Sequence, residues 1–475
     1  MNVTYNVKKQ FARKLIMKKV LLLLCSISIY SFGDEISRPF AQGVASNDLK
    51  WETRFNIPDC DNEGGKINAW CLQNKDMKKA VEKSGVEAKL ASWINDPKIK
   101  SLYLAYFSFS NEGVKKALCE GVKKRSDLNL NIFINYDSYD SLTKHFSKCG
   151  ANQNVHIYAR GRGPFSSPGA YLQHAKIFLG LETPDLKSFF ENAELSSEKR
   201  IKFTSSSANM SSYGTNLHFE NWIFFDAREN DYVAQQNICV FKAYGTEQDS
   251  MDSKFKGLFK QRYADCVQKL DQAKNVVKRN DIKFYLVPLT KSSQYKFERP
   301  YDAMKRVVLS AKENVYVAIH RLMTGKISKD LFATIALTDV NLEIIYDDDT
   351  LRFGKEDGGD FFDVDRNDVM NYRILRRKAD QIYFMETNAR ASGENGRPHL
   401  FHNKFIVVDD KYLFQGAGNF TSSSLNIADD GNIENFYLIE IPEIVTAYGE
   451  AWQLLKQRAT RQEDHEVFDH EDKVY

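Results

Sequence analysis

The chain has 475 residues, 43% hydrophobic and 27% charged, a composition that excludes disordered and fibrous proteins and allows two globular domains. Its formal net charge is +3, but residues 1–33 hold six lysines and arginines and no acidic residue, so the chain without them carries −3. That balance argues against a protein built mainly to bind nucleic acid, although it allows a local basic groove.

The first predicted element is a secretory signal peptide at the N-terminus. Two lysines precede an apolar run at residues 20–30, and small residues follow at Ser31 and Gly33, the spacing that a signal peptidase accepts. The run is shorter than the ~20 apolar residues that a membrane span requires. We therefore expect residues 1–33 to be cleaved, with Met17 as an alternative start of translation.

Six cysteines follow this leader, and all of them lie before residue 270. An even number of cysteines in an exported chain favours disulfide bonds, and the chain has no Cys-x-x-Cys pair of the kind that binds zinc. Six cysteines allow ~15 connectivities. Pairing each with its sequence neighbour predicts Cys60–Cys71, Cys119–Cys149 and Cys239–Cys266.

Two segments of the chain repeat the same order of predicted elements. Residues 98–137 and 312–347 each begin with a β-rich run, at Leu102–Phe107 and Val315–Ile319. An amphipathic stretch of helical spacing follows, and then a second β-rich run that ends in Tyr-Asp. This β-α-β order predicts parallel neighbours within a sheet.

The repetition continues through the rest of each copy. A strand, a loop rich in glycine and arginine, a His-x-Lys pair, an asparagine followed by serines, and Glu-Asn before an apolar strand occur twice in this order. Most corresponding positions are about equally far apart, as with Asn209 and Asn419, which are 210 residues apart. The series predicts a duplication, with a first domain at 44–275 and a second at 276–462.

One motif in the second copy combines residues that are suited to phosphate chemistry. His402, Lys404 and Asp409 form H-x-K-x4-D, and Asn419 ends the sequence Gly-Ala-Gly-Asn. The apolar residues between Lys404 and Asp409 indicate a strand, whose alternation would place His402 and Lys404 on one face. Adjacent cationic donors with a nearby amide can hold a tetrahedral anion, and imidazole can attack phosphorus or protonate a leaving oxygen.

The sequence HNKFIVVDD followed by GAGN resembles the H-x-K-x4-D-x6-G-S-x-N signature of the phospholipase D superfamily. The resemblance covers both copies, at residues 90–460. It implies an α/β fold of two duplicated α/β/α sandwich domains with mixed β-sheets and one active site shared at their interface. It also implies that one histidine attacks phosphorus, giving a phosphohistidine, while the other protonates the leaving alcohol and then activates water, with no metal or other cofactor.

Carried over by position, the resemblance assigns a role to each matching residue. The site comprises two catalytic His-Lys pairs, two phosphate-binding asparagines, two glutamates that orient the histidine rings, and one structural aspartate: His174, Lys176, His402, Lys404, Asn209, Asn419, Glu220, Glu434 and Asp409. Both lysines also hold phosphate oxygens. Following the family's habit, His174 is assigned as the nucleophile and His402 as the acid and base.

The first copy departs from the family pattern at two points. Leu181 stands where the motif has its aspartate, and an insertion between Glu182 and Lys202 separates Lys176 from Asn209. In the family that aspartate acts on local structure more than on phosphorus. The departures therefore do not forbid catalysis by the first half-site.

Six further histidines are interpreted as structural, and several charged residues are weighed against a role as solvated side chains. Surface, core, loop or tail positions are assigned to six histidines: His145, His156, His218, His320, His399 and His465. Four loop arginines could steer anionic substrates or simply be solvated: Arg160, Arg162, Arg390 and Arg397. The acidic segment 347–368 lacks the glycine and glutamate of an EF-hand when counted from Asp363, which favours a solvated loop over a calcium site.

The predicted function is hydrolysis of phospholipid head groups at a membrane surface by a secreted or periplasmic hydrolase. An exported endonuclease is the alternative, with nucleic acid as substrate, because the same site cleaves DNA in some family members. A catalytically impaired relative that binds phosphate without turnover is the third reading. The sequence gives no evidence of an obligate protein partner, and fold alone does not choose between these functions.

Overall fold

Residues 39–475 form one compact unit that contains both copies of the repeat. The computed structural model describes the following ranges: 39–57, 80–150, 153–161, 171–186, 195–246, 253–289, 297–321, 327–335, 337–347, 381–385, 400–427 and 431–461. The predicted signal peptide, Cys60 and Cys71 lie outside them.

The first copy builds an eight-stranded mixed sheet in the order β1-β2-β8-β7-β6-β3-β4-β5. Its strands are β1 (Ala41–Ala45), β2 (Leu49–Asn56), β3 (Ser101–Tyr106), β4 (Asn129–Asn135), β5 (Val155–Arg160), β6 (Ile177–Leu181), β7 (Arg200–Ser206) and β8 (Glu220–Arg228). The neighbours β3, β4 and β5 are parallel, as the β-α-β order predicts, and the other pairs are antiparallel.

The second copy builds another eight-stranded mixed sheet, in the order β16-β12-β11-β10-β13-β14-β15-β9. Its strands are β9 (Ile282–Val287), β10 (Asn314–Ile319), β11 (Asn341–Asp347), β12 (Gln381–Met385), β13 (Lys404–Val408), β14 (Tyr412–Gly416), β15 (Glu434–Ile439) and β16 (Thr460–Arg461). Seven strands of each sheet follow the same order and directions, since β9-β15-β14-β13-β10-β11-β12 matches β2-β8-β7-β6-β3-β4-β5. The predicted duplicated α/β fold is confirmed.

Helices cover the sheets and connect their strands. The longer ones are Val86–Ile94, Glu112–Lys124, Tyr136–Ser147, Tyr232–Tyr244, Ser253–Gln272, Pro300–Val308 and Pro442–Arg458. Short helical turns occur at Ser46–Asp48, Ser212–Asn216, Ser328–Phe332 and Ala333–Ile335. Side chains cap the N-termini of two of these helices. Asn111 accepts a hydrogen bond from Val114 N at 2.7 Å, and Asp231 accepts one from Val233 N at 2.9 Å.

The largest hydrophobic core lies between the two sheets and contains residues from both copies. Phe225 of β8 lies 6.3 Å from Tyr437 of β15 between ring centroids, and Phe55 of β2 lies 4.8 Å from Tyr448 of the last helix. Two further cores lie under the outer helices, one in each copy. Because the central strands are buried on both faces, they consist of nearly continuous apolar residues.

One equivalence between the copies differs from the sequence alignment. The sequence aligns Tyr136-Asp137 with Tyr346-Asp347, but β4 ends at Asn135 and Tyr136 begins a helix. The parallel registers of the two copies instead make Asn135 the counterpart of Asp347. The Tyr-Asp pair that the two copies share therefore indicates the wrong equivalence, because strand register depends on pairing with neighbouring strands rather than on local sequence.

The described residues of the first copy contain two disulfide bonds, Cys119–Cys149 and Cys239–Cys266. They are two of the three pairs predicted from sequence neighbours. Cys239–Cys266 joins the helices Tyr232–Tyr244 and Ser253–Gln272, which pack against the shared core. No helix within the described ranges is both long enough and apolar enough to span a bilayer.

We expect the double substitution Cys239→Ala/Cys266→Ala to lower the free energy of unfolding by ~3.5 kcal/mol, because a bond across 27 residues restricts the unfolded chain. Urea titration would measure the change, with Cys119→Ala/Cys149→Ala, which opens a loop of 30 residues, as the matched comparison. Thiol titration of the unreduced, denatured protein should leave these four cysteines unreactive. Four reactive thiols would show the assignment to be wrong.

Candidate active site

The two His-Lys pairs lie at the ends of the central strands β6 and β13. His174 and Lys176 immediately precede β6, while Lys404 is the first residue of β13 and His402 stands two positions before it. The prediction of one strand carrying both His402 and Lys404 is therefore correct only for Lys404. The histidines lie on chain segments that pair outside the regular sheets.

These segments pair with the opposite copy of the repeat. His174 N donates to Ile433 O at 3.0 Å, and Ile433 N donates to Leu172 O at 2.9 Å. In the same manner His402 N donates to Phe219 O at 2.9 Å. Each histidine is thus held by the residues just before the other copy's Glu-Asn sequence.

The histidine–glutamate pairs also cross between the copies. Nδ1 of His174 lies 2.8 Å from Oε2 of Glu434, and Nδ1 of His402 lies 2.7 Å from Oε1 of Glu220. A carboxylate on Nδ1 fixes the imidazole orientation and leaves Nε2 for chemistry. Sequence analysis gave both glutamates this role, and the structure shows which ring each one contacts.

A serine holds the second oxygen of each glutamate. Ser207 Oγ donates to Oε2 of Glu220 at 2.5 Å, and Ser424 Oγ donates to Oε1 of Glu434 at 2.9 Å. Both carboxylates are buried, so these bonds replace the water that each would have in solution. Ser424 belongs to the serines that follow Asn419, whereas Ser207 stands before Asn209, and nothing in the sequence indicates that either serine contacts a glutamate.

The two lysines are fully buried, and they contact their histidines differently. Lys176 Nζ lies 3.2 Å from each ring nitrogen of His174 and 3.0 Å from its carbonyl oxygen. Lys404 Nζ donates to the carbonyl oxygen of His402 at 2.6 Å. Only the first lysine is therefore aimed at its histidine ring.

The asparagines occupy equivalent positions, each three residues after the end of a strand, β7 for Asn209 and β14 for Asn419. Met210 N, after Asn209, donates to Ser108 O at 3.1 Å, and Phe420 N, after Asn419, donates to Arg321 O at 3.1 Å. The side-chain oxygens of both asparagines are buried and find no hydrogen-bond partner among the described residues. Such unpaired buried polar atoms mark positions that await a polar partner.

Asp409 acts on the backbone rather than on the site. Its carboxylate accepts hydrogen bonds from Lys312 N at 2.8 Å, Glu313 N at 2.8 Å and Asn314 N at 2.9 Å, where β10 begins. In the first copy, Leu181 occupies the aspartate position as the last residue of β6. The leucine at this position therefore removes hydrogen bonds to a turn, but it removes no group that lies in the site.

Burial dominates the electrostatics of the site. It lowers the pKa of Lys176 to about 8, against the opposing effect of Glu434 and Glu220, and it lowers the pKa of Lys404 well below its ordinary value. Burial also raises the pKa of Glu220 to about 8.

Both histidines are shifted in the same direction as the lysines. Burial lowers the pKa of His174, and it lowers the pKa of His402 further, with Lys404 and His320 adding to the effect. An anion placed among these groups would favour their protonated forms.

Two histidines that the sequence analysis treated as structural lie beside His402. The rings of His320 and His402 are 5.1 Å apart between centroids, and those of His218 and His402 are 6.4 Å apart. His320 follows the last residue of β10 directly, and His218 precedes β8 by two residues. The repeat register could have indicated the position of His320, because its counterpart Phe107 lies 5.3 Å from His174 between ring centroids.

Two charged residues differ from their sequence interpretation. Asp347, the first residue of the acidic segment taken as a solvated loop, is fully buried and accepts a hydrogen bond from Phe401 N at 2.8 Å. Arg160, considered for substrate steering, is also fully buried and donates to the carbonyl oxygens of Tyr244 and Gly245. The other three loop arginines, residues 348–368, His399 and His465 lie outside the described ranges.

One group in the described part of the chain has the composition of a metal site. The ligand atoms of Cys119, His145 and Cys149 lie within 4.8 Å of one another. The two sulfurs are joined in a disulfide bond, so they are not the thiolates that a metal requires. This group lies apart in sequence from every residue of the predicted site.

Comparison with known proteins supports the family suggested by these residues. The family described as "Cardiolipin synthase, PLD-like domain" matches residues 304–454. Proteins called phospholipase D from Rickettsia bellii and Rickettsia prowazekii are 31% identical over 84 residues and 33% identical over 78 residues. The chain belongs to the phospholipase D superfamily.

The likeness to these superfamily members is partial in sequence. The matched stretches cover 18% and 16% of this chain and only 40% and 36% of the two rickettsial proteins. A structure of phosphatidylserine synthase from Haemophilus influenzae superposes with a TM-score of 0.54 at 10% identity, over 81% of this chain and 86% of that one. This second likeness concerns the fold.

In this phospholipase D-like site, we expect the affinity for sulfate to fall as the pH rises from 7 to 9. Sulfate keeps its charge over this range, and binding it favours protonated Lys176, whose pKa in the free protein is about 8. Above that pH the affinity should fall by up to ~10-fold per unit for each proton taken up. Ionisation of Glu220 acts in the same direction. Calorimetry in two buffers of different ionisation enthalpy would measure the proton uptake.

The matched control is Lys176→Met, which keeps the length of the side chain and removes the charge. It should bind sulfate more weakly and show a smaller dependence on pH. An affinity that is constant between pH 7 and pH 9 in the unsubstituted protein would contradict a lysine with a lowered pKa at the anion site.

We expect Asp409→Asn to lower the free energy of unfolding by ~1–2 kcal/mol, because the turn before β10 loses charge-assisted hydrogen bonds. The exposed neighbour Asp410 has the same left-handed backbone conformation, so Asp410→Asn is the matched control and should change stability little. Urea titration measures both. Equal effects of the two substitutions would rule out the structural role of Asp409.

Proposed function

We propose that the protein is a phospholipase D-type phosphodiesterase that hydrolyses phospholipid head groups through a phosphohistidine intermediate. One observation carries the proposal: two imidazoles, each oriented through Nδ1 by a buried glutamate of the opposite copy, lie beside two buried lysines. Either copy alone would lack the glutamate for its own histidine.

In the first step, Nε2 of His174 attacks phosphorus and forms a P–N bond. The P–O bond to the leaving alcohol breaks, and His402 gives its proton to the departing oxygen. Lys176 and Lys404 balance the charge of the phosphoryl oxygens, with the amides of Asn209 and Asn419 as further ligands.

In the second step, water attacks the phosphorus of the phosphohistidine. His402, now neutral, accepts a proton from the water, and the P–N bond breaks to release the phosphomonoester. The enzyme returns to its starting protonation state. The Nδ1–Glu220 contact keeps the ring of His402 oriented, with Nε2 left to exchange the proton in both steps.

The assignment of His174 as the nucleophile is supported by its lysine contact. A cationic Nζ 3.2 Å from both ring nitrogens disfavours a second proton on His174, and a nucleophile needs its lone pair. His402 has its lysine on the carbonyl oxygen instead, and three other titratable side chains lie beside its ring: Glu220, His218 and His320. Burial and Lys404 lower the pKa of this ring further than that of His174, so its role as the acid requires a bound anionic substrate that favours the protonated ring.

A phospholipid substrate and an extracytoplasmic location are part of the proposal. The charge of −3 without residues 1–33 gives no general attraction to nucleic acid, and lipid is plentiful outside the cytoplasm. Export is supported by the signal-like leader and by two disulfide bonds. Endonuclease activity is the alternative that an assay must include.

We expect His174→Ala and His402→Ala each to reduce turnover of phospholipid by ~10²–10⁴-fold or more, because each removes a group that bonds to a reacting atom. The double variant should lose little beyond either single one. His402→Ala should accumulate phosphohistidine on His174, detected by mass spectrometry at alkaline pH. His156→Ala, at an exposed position of β5, is the matched control and should keep full activity.

The assay should compare phosphatidylcholine, phosphatidylethanolamine and single-stranded DNA, with and without EDTA. The lysines supply the positive charge in this mechanism, so EDTA should leave the rate unchanged. Hydrolysis of DNA alone would favour the endonuclease. Wild-type rates in His174→Ala would refute a site shared by both copies, and phospholipid binding without any turnover would indicate the impaired relative.

A further inference from the structure

The two sides of the site are built from equivalent positions but carry different chemistry. The position after the last residue of the first strand of each β-α-β unit is Phe107 beside His174 and His320 beside His402. The following position is Ser108 on one side and Arg321 on the other, and both accept the equivalent backbone hydrogen bond from the segment after the asparagine. The registers of the two sheets therefore match these residues in pairs.

A third pair of equivalent positions also carries a basic side chain on the His402 side and a neutral one on the His174 side. Leu172 N donates to Oδ1 of Asn432 at 3.1 Å on the His174 side, and Leu400 N donates to Nδ1 of His218 at 3.0 Å on the His402 side. Because Nδ1 of His218 accepts this bond, the proton of the neutral ring is on Nε2, which makes that nitrogen a donor. An amide on one side thus corresponds to an imidazole on the other.

Buried Asp347 fixes the orientation of His320. Its Oδ2 lies 3.1 Å from Nδ1 of His320 and also accepts the bond from Phe401 N. The equivalent residue Asn135 accepts a bond from Gln173 N at 3.3 Å and has Phe107 rather than an imidazole as its neighbour at the strand end. The ring of His320 is therefore held in place by a group that only the second copy has.

The carboxylates on the His402 side are already engaged. Asp347 binds His320 and the backbone, and Glu220 binds His402 and Ser207. Burial lowers the pKa of His320 well below its ordinary value, and Lys404 and the guanidinium of Arg321 add to the effect, so Arg321 lies near His320. The His402 side thus has three basic side chains where the His174 side has a phenyl ring, a hydroxyl and an amide.

We propose that the His402 side binds a second anionic group of the substrate, a carboxylate or phosphate carried by the leaving alcohol, through His218, His320 and Arg321. This rests on the proposed function, in which the alcohol leaves beside His402. Among phospholipids, the site then favours head groups that carry a negative charge over those that carry only an amine.

The test compares two lipids that differ by a single carboxylate. Dihexanoyl phosphatidylserine and dihexanoyl phosphatidylethanolamine give the same phosphatidic acid, and at concentrations where they are monomeric no charged vesicle surface contributes. The wild-type protein should prefer the serine lipid by about 10-fold or more in kcat/KM, the size expected for one charge-assisted contact.

The chain itself supplies the variant that removes the contact. His218→Asn, His320→Phe, Arg321→Ser and Asp347→Asn together copy the residues at the equivalent positions of the His174 side, and the last change avoids leaving a buried carboxylate without its imidazole. This fourfold variant should bring the preference close to 1. Phe107→Leu, at the equivalent position beside His174, is the control and should leave the preference as in the wild type.

Calorimetric binding of O-phosphoserine and phosphoethanolamine gives a second measurement that needs no turnover and no variant. The wild-type protein should bind phosphoserine about 10-fold more tightly. Equal affinities, or a preference that survives in the fourfold variant, would overturn the second anion site. Failure to cleave either lipid would instead refute the proposed function, and tighter binding of phosphoserine would in that case still support the site.

Discussion

The structure depends on an exchange of buried carboxylates between the two copies of the repeat. Glu220 of the first copy orients His402 of the second, and Glu434 of the second orients His174 of the first. Backbone pairing of both histidine segments with the opposite copy reinforces this exchange. Separating the copies would deprive each carboxylate of its histidine and would expose the shared hydrophobic core, and both changes cost free energy. Assembly of the site and association of the copies are therefore the same event.

The duplication places the two catalytic histidines at equivalent positions, and the divergence of the two copies gives them different neighbours and different roles. Seven strands in the same order place His174 and His402 at equivalent points, yet one ring contacts its lysine and a phenyl ring while the other has two further imidazoles beside it. A phosphohistidine mechanism requires such a difference, because one imidazole must be neutral to attack while the other exchanges a proton. The substitution of Leu181 for the motif aspartate is a divergence of another kind, since Asp409 only fixes a turn.

The amino-acid sequence was sufficient for the architecture and for the identity of the matching site residues. Apolar runs in a repeated order predicted a duplicated β-α-β unit, and the resemblance to the phospholipase D superfamily implied two domains with mixed sheets. The His-x-Lys pairs, asparagines and glutamates were found from the same repetition. Neighbouring cysteines were paired correctly in both disulfides that the structure describes. These features depend on local periodicity or on short motifs, which sequence records directly.

Contacts between distant segments were decided only by the tertiary structure. The crossed glutamates are 260 and 182 residues from their histidines, and either pairing would fit the motif. His218, His320 and Asp347 looked like isolated polar residues, because their closeness to His402 comes from strand register and from pairing between copies. The same holds for Arg160, whose burial against aromatic rings no loop sequence indicates. Sequence fixes which groups are available, whereas long-range packing determines which of them share a desolvated site and so acquire their chemistry.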